Sequence, residues 1–524
     1  MWNLLSMLLT QSTETVVLFI LSSVLTSLLI ARCRSTSGTT CSTHPPGPWA
    51  WPILGHLPSI LPGGQPHQAL ARFADRYGPV IGISLGPGPK TVVLTSLAVV
   101  KEVLVKNADS ASDRRIPPLI GLAFSTKGSV IWENGDKWKS SRRTTLTAFR
   151  KSLSSSSTFG ATVKSSWQHL RVSLQRPNGQ HCNPRSEITS AIAEIISSLC
   201  FGHCVDVRSD PKIADIMQAQ HNISRGLSGI SLGHIFPHLY HTPLYSKLRR
   251  DIEQYTQFMR EVVKDHKLRL VGNDDGKCKD GNRKEYITDV TDCYLQQTQH
   301  GGKVAVEEDD VWRVMFDLMG AGTETTSETL LWGILYLCLF PDVQRQVHSE
   351  IDENMALYGP DDVINYDQRK SLPYTQATIL ELLRCACVAP LSLPRVTTRD
   401  LTVLGYSIPR GTEIWVNEWA INRDRNVWNK PHDFNPARFL DDSGRVDPKL
   451  KESIISFGEG RRMCLGRCLA EHMLFVFFTN LVRWFTFRLP EDCRETPNVN
   501  EGNFGLTYSP PQFDVIITPR VFGN

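Results

Sequence analysis

The chain has 524 residues, 41% of them hydrophobic and 21% charged, which is ordinary for a globular protein and leaves room for two or more average domains or one large one. A net charge of +4 is too small to argue for nucleic acid as a partner. Thirteen cysteines, odd in number and without a disulfide-like rhythm, suggest reduced thiols in a reducing compartment.

Val16 to Ala31 is apolar apart from Ser22, Ser23, Thr26 and Ser27. With Thr15 it makes a helical span of roughly 25 Å, near the lower limit for crossing a bilayer. Leu4 to Leu9 adds a second apolar patch. Arg32 and Arg34 follow the span and no basic residue precedes it, which places the following chain on the cytoplasmic side and argues against a cleaved signal peptide. Residues 1–34 are therefore expected to form an anchor. Residues 35–52 read as a linker, first Ser/Thr-rich and then carrying Pro45-Pro46-Gly47-Pro48 and Pro52, a stiff elbow. Residues 53–524 form the body.

Val80 to Thr95 alternates Gly/Pro turns with apolar runs and predicts short strands. Asp113-Arg114-Arg115 falls in a loop, and either a solvated charge cluster or a functional one fits it. Trp138 and Arg142 stand four apart near the start of a helix and share a face. An indole N–H beside a guanidinium suits a carboxylate, and a surface stacking pair is the alternative. Ala214 to Gly226 and Tyr245 to Leu270 read as amphipathic helices, joined through the apolar, aromatic Ile235 to Tyr240. Asn222-Ile223-Ser224 is a sequon of a kind common by chance. Gly272 to Lys284 is charged and Gly-rich, an exposed loop without catalytic content.

From Asp309 to Leu339 no proline intervenes and most positions are apolar, which predicts a long helix crossing the core. Its middle holds Gly320-Ala321-Gly322-Thr323-Glu324-Thr325-Thr326. Glycines and threonines there weaken the ladder, giving a packing notch or a pocket. Glu324 is costly to bury without a role. Further on, Glu381 and Arg384 share a helical face with apolar flanks, and a buried pair needs further partners. Asn435-Pro436-Ala437-Arg438-Phe439 offers one.

Phe457-Gly458-Glu459-Gly460-Arg461-Arg462-Met463-Cys464-Leu465-Gly466 reads as a loop running into a helix. A thiol at a helix N-terminus beside cations is biased toward thiolate. Three readings of Cys464 are open: a buried structural cysteine, a zinc ligand with Cys468 and His472 at spacings of four, and a single-cysteine ligand of haem iron.

The order Phe-x-x-Gly-x-Arg-x-Cys-x-Gly resembles the haem-binding loop of the cytochrome P-450 superfamily of haem-thiolate monooxygenases. The runs Ala321 to Thr325, Glu381 to Arg384, Pro436 to Phe439 and Trp138 to Arg142 are similar to that family's other motifs, in its order, and the texture is similar to its animal microsomal, family-two-like members. The fold implied is mainly α with a small β region, holding haem between a long central helix and the cysteine loop with its helix. The resemblance implies haem b, an iron protoporphyrin IX, with Cys464 as axial thiolate. Phe457 would shield the sulfur, Gly460 would let the loop bulge under the haem, and Gly466 would let the next helix pack tightly. Trp138, Arg142, Arg395 and Arg462 would contact the haem propionates. Thr325 would hold dioxygen and Glu324 would relay protons, while Glu381, Arg384 and Arg438 would form a structural triad. Ala321 and Leu393 would touch substrate. The helix pair of residues 214–270 would roof the substrate pocket, with its tip at the membrane.

The reaction implied is insertion of one oxygen atom from O2 into a small lipophilic substrate such as a steroid, fatty acid or xenobiotic. Only sixty residues follow Cys464, too few for a flavin domain. Electrons would come from NADPH–cytochrome reductase, with cytochrome b5 as an optional second donor. Arg143, Arg461 and Arg467 are candidate docking contacts. The implied place is the endoplasmic reticulum membrane, with a single-pass N-terminal anchor and the catalytic domain cytoplasmic. A haem-thiolate isomerase or dehydratase that uses no dioxygen, and a haem-binding sensor without turnover, are the alternatives.

Overall fold

A computed structural model describes residues 22, 26 and 43–520, apart from 87, 155, 176–179, 203–206, 208–210, 229, 273–288, 300–305, 355–357, 360–361 and 494. Apart from Ser22 and Thr26, the expected anchor lies outside the described residues, as does most of the Gly272–Lys284 loop. No helix among the described residues is long and apolar enough to cross a membrane.

The named elements, in chain order, are α1 (Pro66–Tyr77), β1 (Val80–Ser84), β2 (Lys90–Leu94), α2 (Gly135–Ser154), α3 (Ser156–Leu174), β3 (His181–Cys182) and α4 (Arg185–Phe201). They continue with α5 (Pro211–Gly226), α6 (Ser246–Gly272), α7 (Val311–Leu339), α8 (Pro341–Asn354), α9 (Pro373–Ala386), β4 (Arg395–Val396), β5 (Glu413–Val416), α10 (Arg467–Trp484), β6 (Phe485–Arg488) and β7 (Val515–Pro519). The fold is mainly α with a small β region, as expected.

The body is arranged around α7. Three acidic residues, Glu308 to Asp310, sit in the short turn that enters it and complement its N-terminal partial charge. Pro341 lies two residues past its end and opens α8, because a residue before proline resists helical geometry. Between these ends nearly every position is buried, and α7 packs against α4, α6, α9 and α10. Gly322 permits the tightest approach. A Cβ there would stand 2.9 Å from Cδ1 of Ile196 on α4.

The four-stranded sheet has the order β1-β2-β5-β4. β1 and β2 pair antiparallel from Val80↔Leu94 to Ser84↔Lys90, β2 and β5 run parallel, and β4 pairs with β5 at Arg395↔Ile414. That order puts Arg395 on an edge strand of the sheet. A second sheet, β3-β7-β6, closes the C-terminal end. The proline elbow lies along β1. The Gly82 N–H donates to Pro46 O at 2.8 Å, and Gly47 abuts the Gly82 carbonyl so closely that a Cβ would stand 2.0 Å from it. Proline lacks a donor but keeps its carbonyl, so it can finish a sheet edge in this way.

Candidate active site

The loop before α10 turns on two glycines with positive φ, Gly458 (+70°) and Gly460 (+74°). Gly460 is required twice over, because a Cβ there would meet the Leu104 carbonyl oxygen at 2.1 Å. The loop folds back so that the Cys464 N–H donates to Phe457 O at 2.8 Å. This sets Cys464 and Phe457 on the wall of a cavity of about 380 Å³. Cys464 is surrounded by protein, yet its surface is open to that cavity.

The opposite wall is the middle of α7. Gly320, Ala321, Gly322, Glu324 and Thr325 all line the same cavity. The ladder stays helical through them, and the hydroxyls bond backward along it, Thr325 Oγ1 to Ala321 O at 2.7 Å and Thr329 Oγ1 to Thr325 O at 2.8 Å. Glu324 is buried but partnered. His221 Nδ1 donates to its Oε1 at 3.0 Å, and Thr507 Oγ1 lies 3.4 Å from the same oxygen.

Five guanidinium groups line the cavity; Arg313 is paired with Asp317 at 2.9 Å, and the other four are Arg114, Arg142, Arg395 and Arg462. Their hydrogen bonds go to neutral groups. Arg114 donates to Leu393 O (3.0 Å) and Pro394 O (3.3 Å), Arg142 to Met463 O (2.7 Å), and Arg395 to Leu393 O. Arg462 donates to Ser112 O (3.0 Å), Ile131 O (3.3 Å), Glu133 O (2.7 Å) and Asn134 Oδ1 (2.8 Å), with its guanidinium 3.7 Å from the Trp138 ring centre. Burial lowers all four pKa values, Arg395 to about 10 and Arg462 to about 9; neighbouring guanidinium groups add to it for Arg114, Arg395 and Arg462, while Cys464 opposes it for Arg142. A nearby acid, Glu418, is itself pushed up to about 8 by burial. Arg114 Nε is buried without a partner. Crowded cations with carbonyl partners and an orphaned N–H suit a ligand that brings two negative charges of its own. The two carboxylates of a haem meet that condition, and a soft sulfur on the cavity floor completes the donor set.

Most of the predicted site residues share this cavity: Cys464, Phe457, Gly466, Arg462, Trp138, Arg142, Arg395, Ala321, Leu393, Glu324 and Thr325. Gly460 stands behind the wall against Leu104 rather than at the cavity surface. Two expectations are corrected. Apart from its chain neighbours, no residue comes within 4 Å of where a Gly466 Cβ would stand, so that glycine does not serve tight packing of protein against protein; it leaves cavity space. The helix terminus and the cations do not by themselves make Cys464 a thiolate. Burial raises its pKa, and the pull of the Gly466 N–H, Arg142 and Arg467 does not overturn it. Deprotonation of a thiol in such a place accompanies metal binding.

The zinc alternative also fails on geometry. Cys464 precedes α10, while His472 on that helix stacks on Tyr366 at 4.8 Å, and neither belongs to a possible metal group among the described residues. Glu381, Arg384 and Arg438 stand apart from the cavity and do come together. Arg384 binds Glu381 through two bonds (2.7 and 2.8 Å), and Arg438 Nε reaches Glu381 Oε1 at 3.0 Å. Burial opposes the charge of Arg384, and Glu381 more than offsets it, holding that guanidinium above its ordinary value.

Arg114 is a site residue that the sequence left undecided. Its signal was the doubled arginine, which could equally be solvated. The pairing of Asp113 with Val396 next to β4 turns Arg114 inward beside Arg395. Of the proposed docking cations, Arg461 is paired with Asp109 and Arg467 with Glu471, while Arg143 is exposed.

The family model described as Cytochrome P450 matches residues 45–516. The chain is 32% identical over 512 residues to Cytochrome P450 2U1 of Homo sapiens, covering 91% of this chain and 89% of that one. It is 34% identical over 506 residues to Cytochrome P450 2U1 of Rattus norvegicus, covering 91% of each. It is 32% identical over 488 residues to Cytochrome P450 2J1 of Oryctolagus cuniculus, again covering 91% of each.

Proposed function

The chain belongs to the cytochrome P450 family, a haem-thiolate monooxygenase with haem b held by a cysteine thiolate, and from that premise we propose how its own residues do the work. Haem b, when bound, supplies reductive activation of dioxygen at a thiolate-ligated iron. Cys464 is the thiolate. Phe457 covers its approach, and Arg142 with the Gly466 N–H favours negative charge on the sulfur. Arg114, Arg142, Arg395 and Arg462, with Trp138, hold the two propionates. Gly460 fixes the loop's bend against Leu104, and Glu381, Arg384 and Arg438 brace the wall behind.

On the α7 side, Glu324 holds a proton at a carboxylate oxygen facing the cavity, and Thr325 orients it. For this the Thr325 hydroxyl turns from Ala321 O toward the cavity, a single χ1 rotation. The apolar lining from Ile120, Phe124, Ile223, Leu227 and Phe316, together with Ala321 and Leu393, favours a small lipophilic substrate such as a steroid, fatty acid or xenobiotic. Electrons arrive from NADPH–cytochrome reductase at the cysteine side, where Arg143 is the free cation of the three candidates, and cytochrome b5 is an optional second donor. Residues 1–34 anchor the chain in the endoplasmic reticulum membrane with the body, 53–524, on the cytoplasmic side. The exposed Trp49, Trp51, Ile53 and Leu54, which follow the anchor in the sequence, suit contact with a membrane surface.

The observation that carries this reading is one cavity with Cys464 on its floor, Thr325 on its roof and Arg114, Arg142, Arg395 and Arg462 at its side. Thr325→Ala is expected to consume NADPH at a comparable rate while releasing most of the reducing equivalents as peroxide, with Thr325→Ser restoring coupling. Unchanged coupling in Thr325→Ala removes the threonine from the proton path. Arg114→Gln is expected to keep the fold but to lose haem several-fold faster than the parent protein during transfer to apomyoglobin. Equal loss rates would take Arg114 out of the propionate site.

A further inference from the structure

The roof of the cavity continues outward into a charged cluster that the reaction outlined above does not use. α5 brings His221 against α7, with Nδ1 3.0 Å from Glu324 Oε1 and 3.8 Å from Glu328 Oε1. Glu328 lies one turn beyond Glu324 and is bonded to Arg185, the first residue of α4. Side-chain exposure is graded along the cluster: 27% for Arg185, 20% for His221, 8% for Glu324 and 2% for Glu328. Glu324 alone of the four lines the cavity, beside Thr325.

We infer that His221, Glu324, Glu328 and Arg185 form a proton reservoir linking solvent to the roof of the cavity, with His221 as the outer donor. The inference rests on the monooxygenase reading and adds the route by which its protons arrive. The charge count makes the case. Two carboxylates and one guanidinium leave a net charge of −1 if the imidazole is neutral, and an uncompensated buried charge is costly. One proton therefore stays in the cluster, shared between His221 and the carboxylates. Glu328 Oε2 is buried without a partner, a poor setting for a full carboxylate and a better one for a carboxyl group. Burial pushes Glu328 up to about 7 against the pull of Arg185, and the Glu324 charge pushes the same way, so the group exchanges near neutrality.

His221 faces Glu324 and Glu328 of α7; around those two carboxylates stand Arg185 from α4, bonded to Glu328, and the Thr507 hydroxyl from the C-terminal segment, 3.4 Å from Glu324, while Tyr255 of α6 reaches the neighbouring Gln220 of α5 at 3.4 Å. The three ligand atoms of His221, Glu324 and Glu328 could also surround a cation. The Arg185 guanidinium already bonded to Glu328 disfavours it.

The step is a plain proton transfer. An imidazolium Nδ1–H bond breaks as an O–H bond forms on the Glu324 carboxylate. Glu324 then releases that proton into the cavity beside Thr325. The neutral ring is reprotonated from solvent through its exposed edge. His221 and Glu328 act through Glu324 and touch neither substrate nor cofactor, so they position and supply rather than catalyse.

The test uses the full-length, haem-loaded protein in vesicles with its reductase, NADPH and dioxygen. The share of NADPH electrons appearing as peroxide is followed across neutrality, from about pH 6 to about pH 9. The parent protein should leak more peroxide as pH rises. His221→Gln should leak several-fold more at neutral pH and lose most of that pH dependence. Arg185→Gln, which removes a countercharge and leaves the roof intact, should move the inflection to higher pH. Independently of turnover, the infrared band of a buried protonated carboxyl group should be present in the parent at neutral pH and missing in Glu328→Gln.

A parent-like leak and pH profile in His221→Gln, in protein that keeps its red-shifted ferrous carbonyl band, overturns the reservoir. So does absence of the infrared band from the parent. If the parent itself lacks the carbonyl band, the monooxygenase reading has failed instead. Should His221→Gln not fold, the Arg185→Gln profile decides, and an unshifted inflection overturns the proposal.

Discussion

Replacing Cys464 with alanine is expected to abolish the red-shifted band of the ferrous carbonyl complex and, with it, all NADPH-dependent oxygenation. The effect is total because one sulfur atom is in question. Of the three described cysteines that line the cavity, Cys464 is the exposed one, whereas Cys200 and Cys387 are buried and burial pushes their thiols up. Cys468 is exposed on α10, one turn further along, and gives the control: Cys468→Ala should keep the band at full height. A band that survives in Cys464→Ala moves the ligand elsewhere. Haem content must be measured beside the band, because an empty protein would mimic the loss.

The second large effect concerns the wall behind the cavity. Glu381→Ala is expected to cost about 3–5 kcal/mol, since it leaves two guanidinium groups without their countercharge. Both Glu381 and Arg384 are fully buried, and Arg438 is 10% exposed. The remaining bonds of Arg384, to the carbonyls of Asn422 (2.9 Å), Pro431 (2.7 Å) and Asp433 (3.1 Å), keep the guanidinium in place but carry no negative charge. Against a total stability of about 5–15 kcal/mol, that loss is a large fraction. Little folded, haem-containing protein should be recovered, and chemical denaturation of what remains should show a clearly lowered midpoint. Glu381→Gln should fall between the two, keeping the acceptor oxygen for Arg384 and losing the charge. A midpoint for Glu381→Ala equal to that of the parent would make the triad an ornament of the fold.

What could be read from the sequence was what neighbouring residues decide together. The cysteine loop spells out its own bend through Gly458 and Gly460, and α7 declares itself by its unbroken apolar run, ending at Leu339 where Pro341 forbids continuation. The Glu381–Arg384 spacing of three is likewise local, and the helix honours it. Arg114 was not legible, because its direction is set by a β-bridge to Val396, far along the chain. His221 meets Glu324 across 103 positions, and nothing near either residue in the sequence announces the meeting. The back-bonding of the Thr325 hydroxyl was equally hidden, since a threonine in a helix can turn its oxygen either way. The role given to Gly466 failed for a related reason. A glycine beside a cavity and a glycine beside a packed helix look alike until the neighbours are known.

The gathering of Arg114, Arg142, Arg395 and Arg462 around one space has a consequence for how the protein matures. Burial and the nearness of other guanidinium groups both disfavour the charges of Arg114, Arg395 and Arg462, so protein made without its prosthetic group is expected to be cut more readily along that wall in limited proteolysis than the loaded protein.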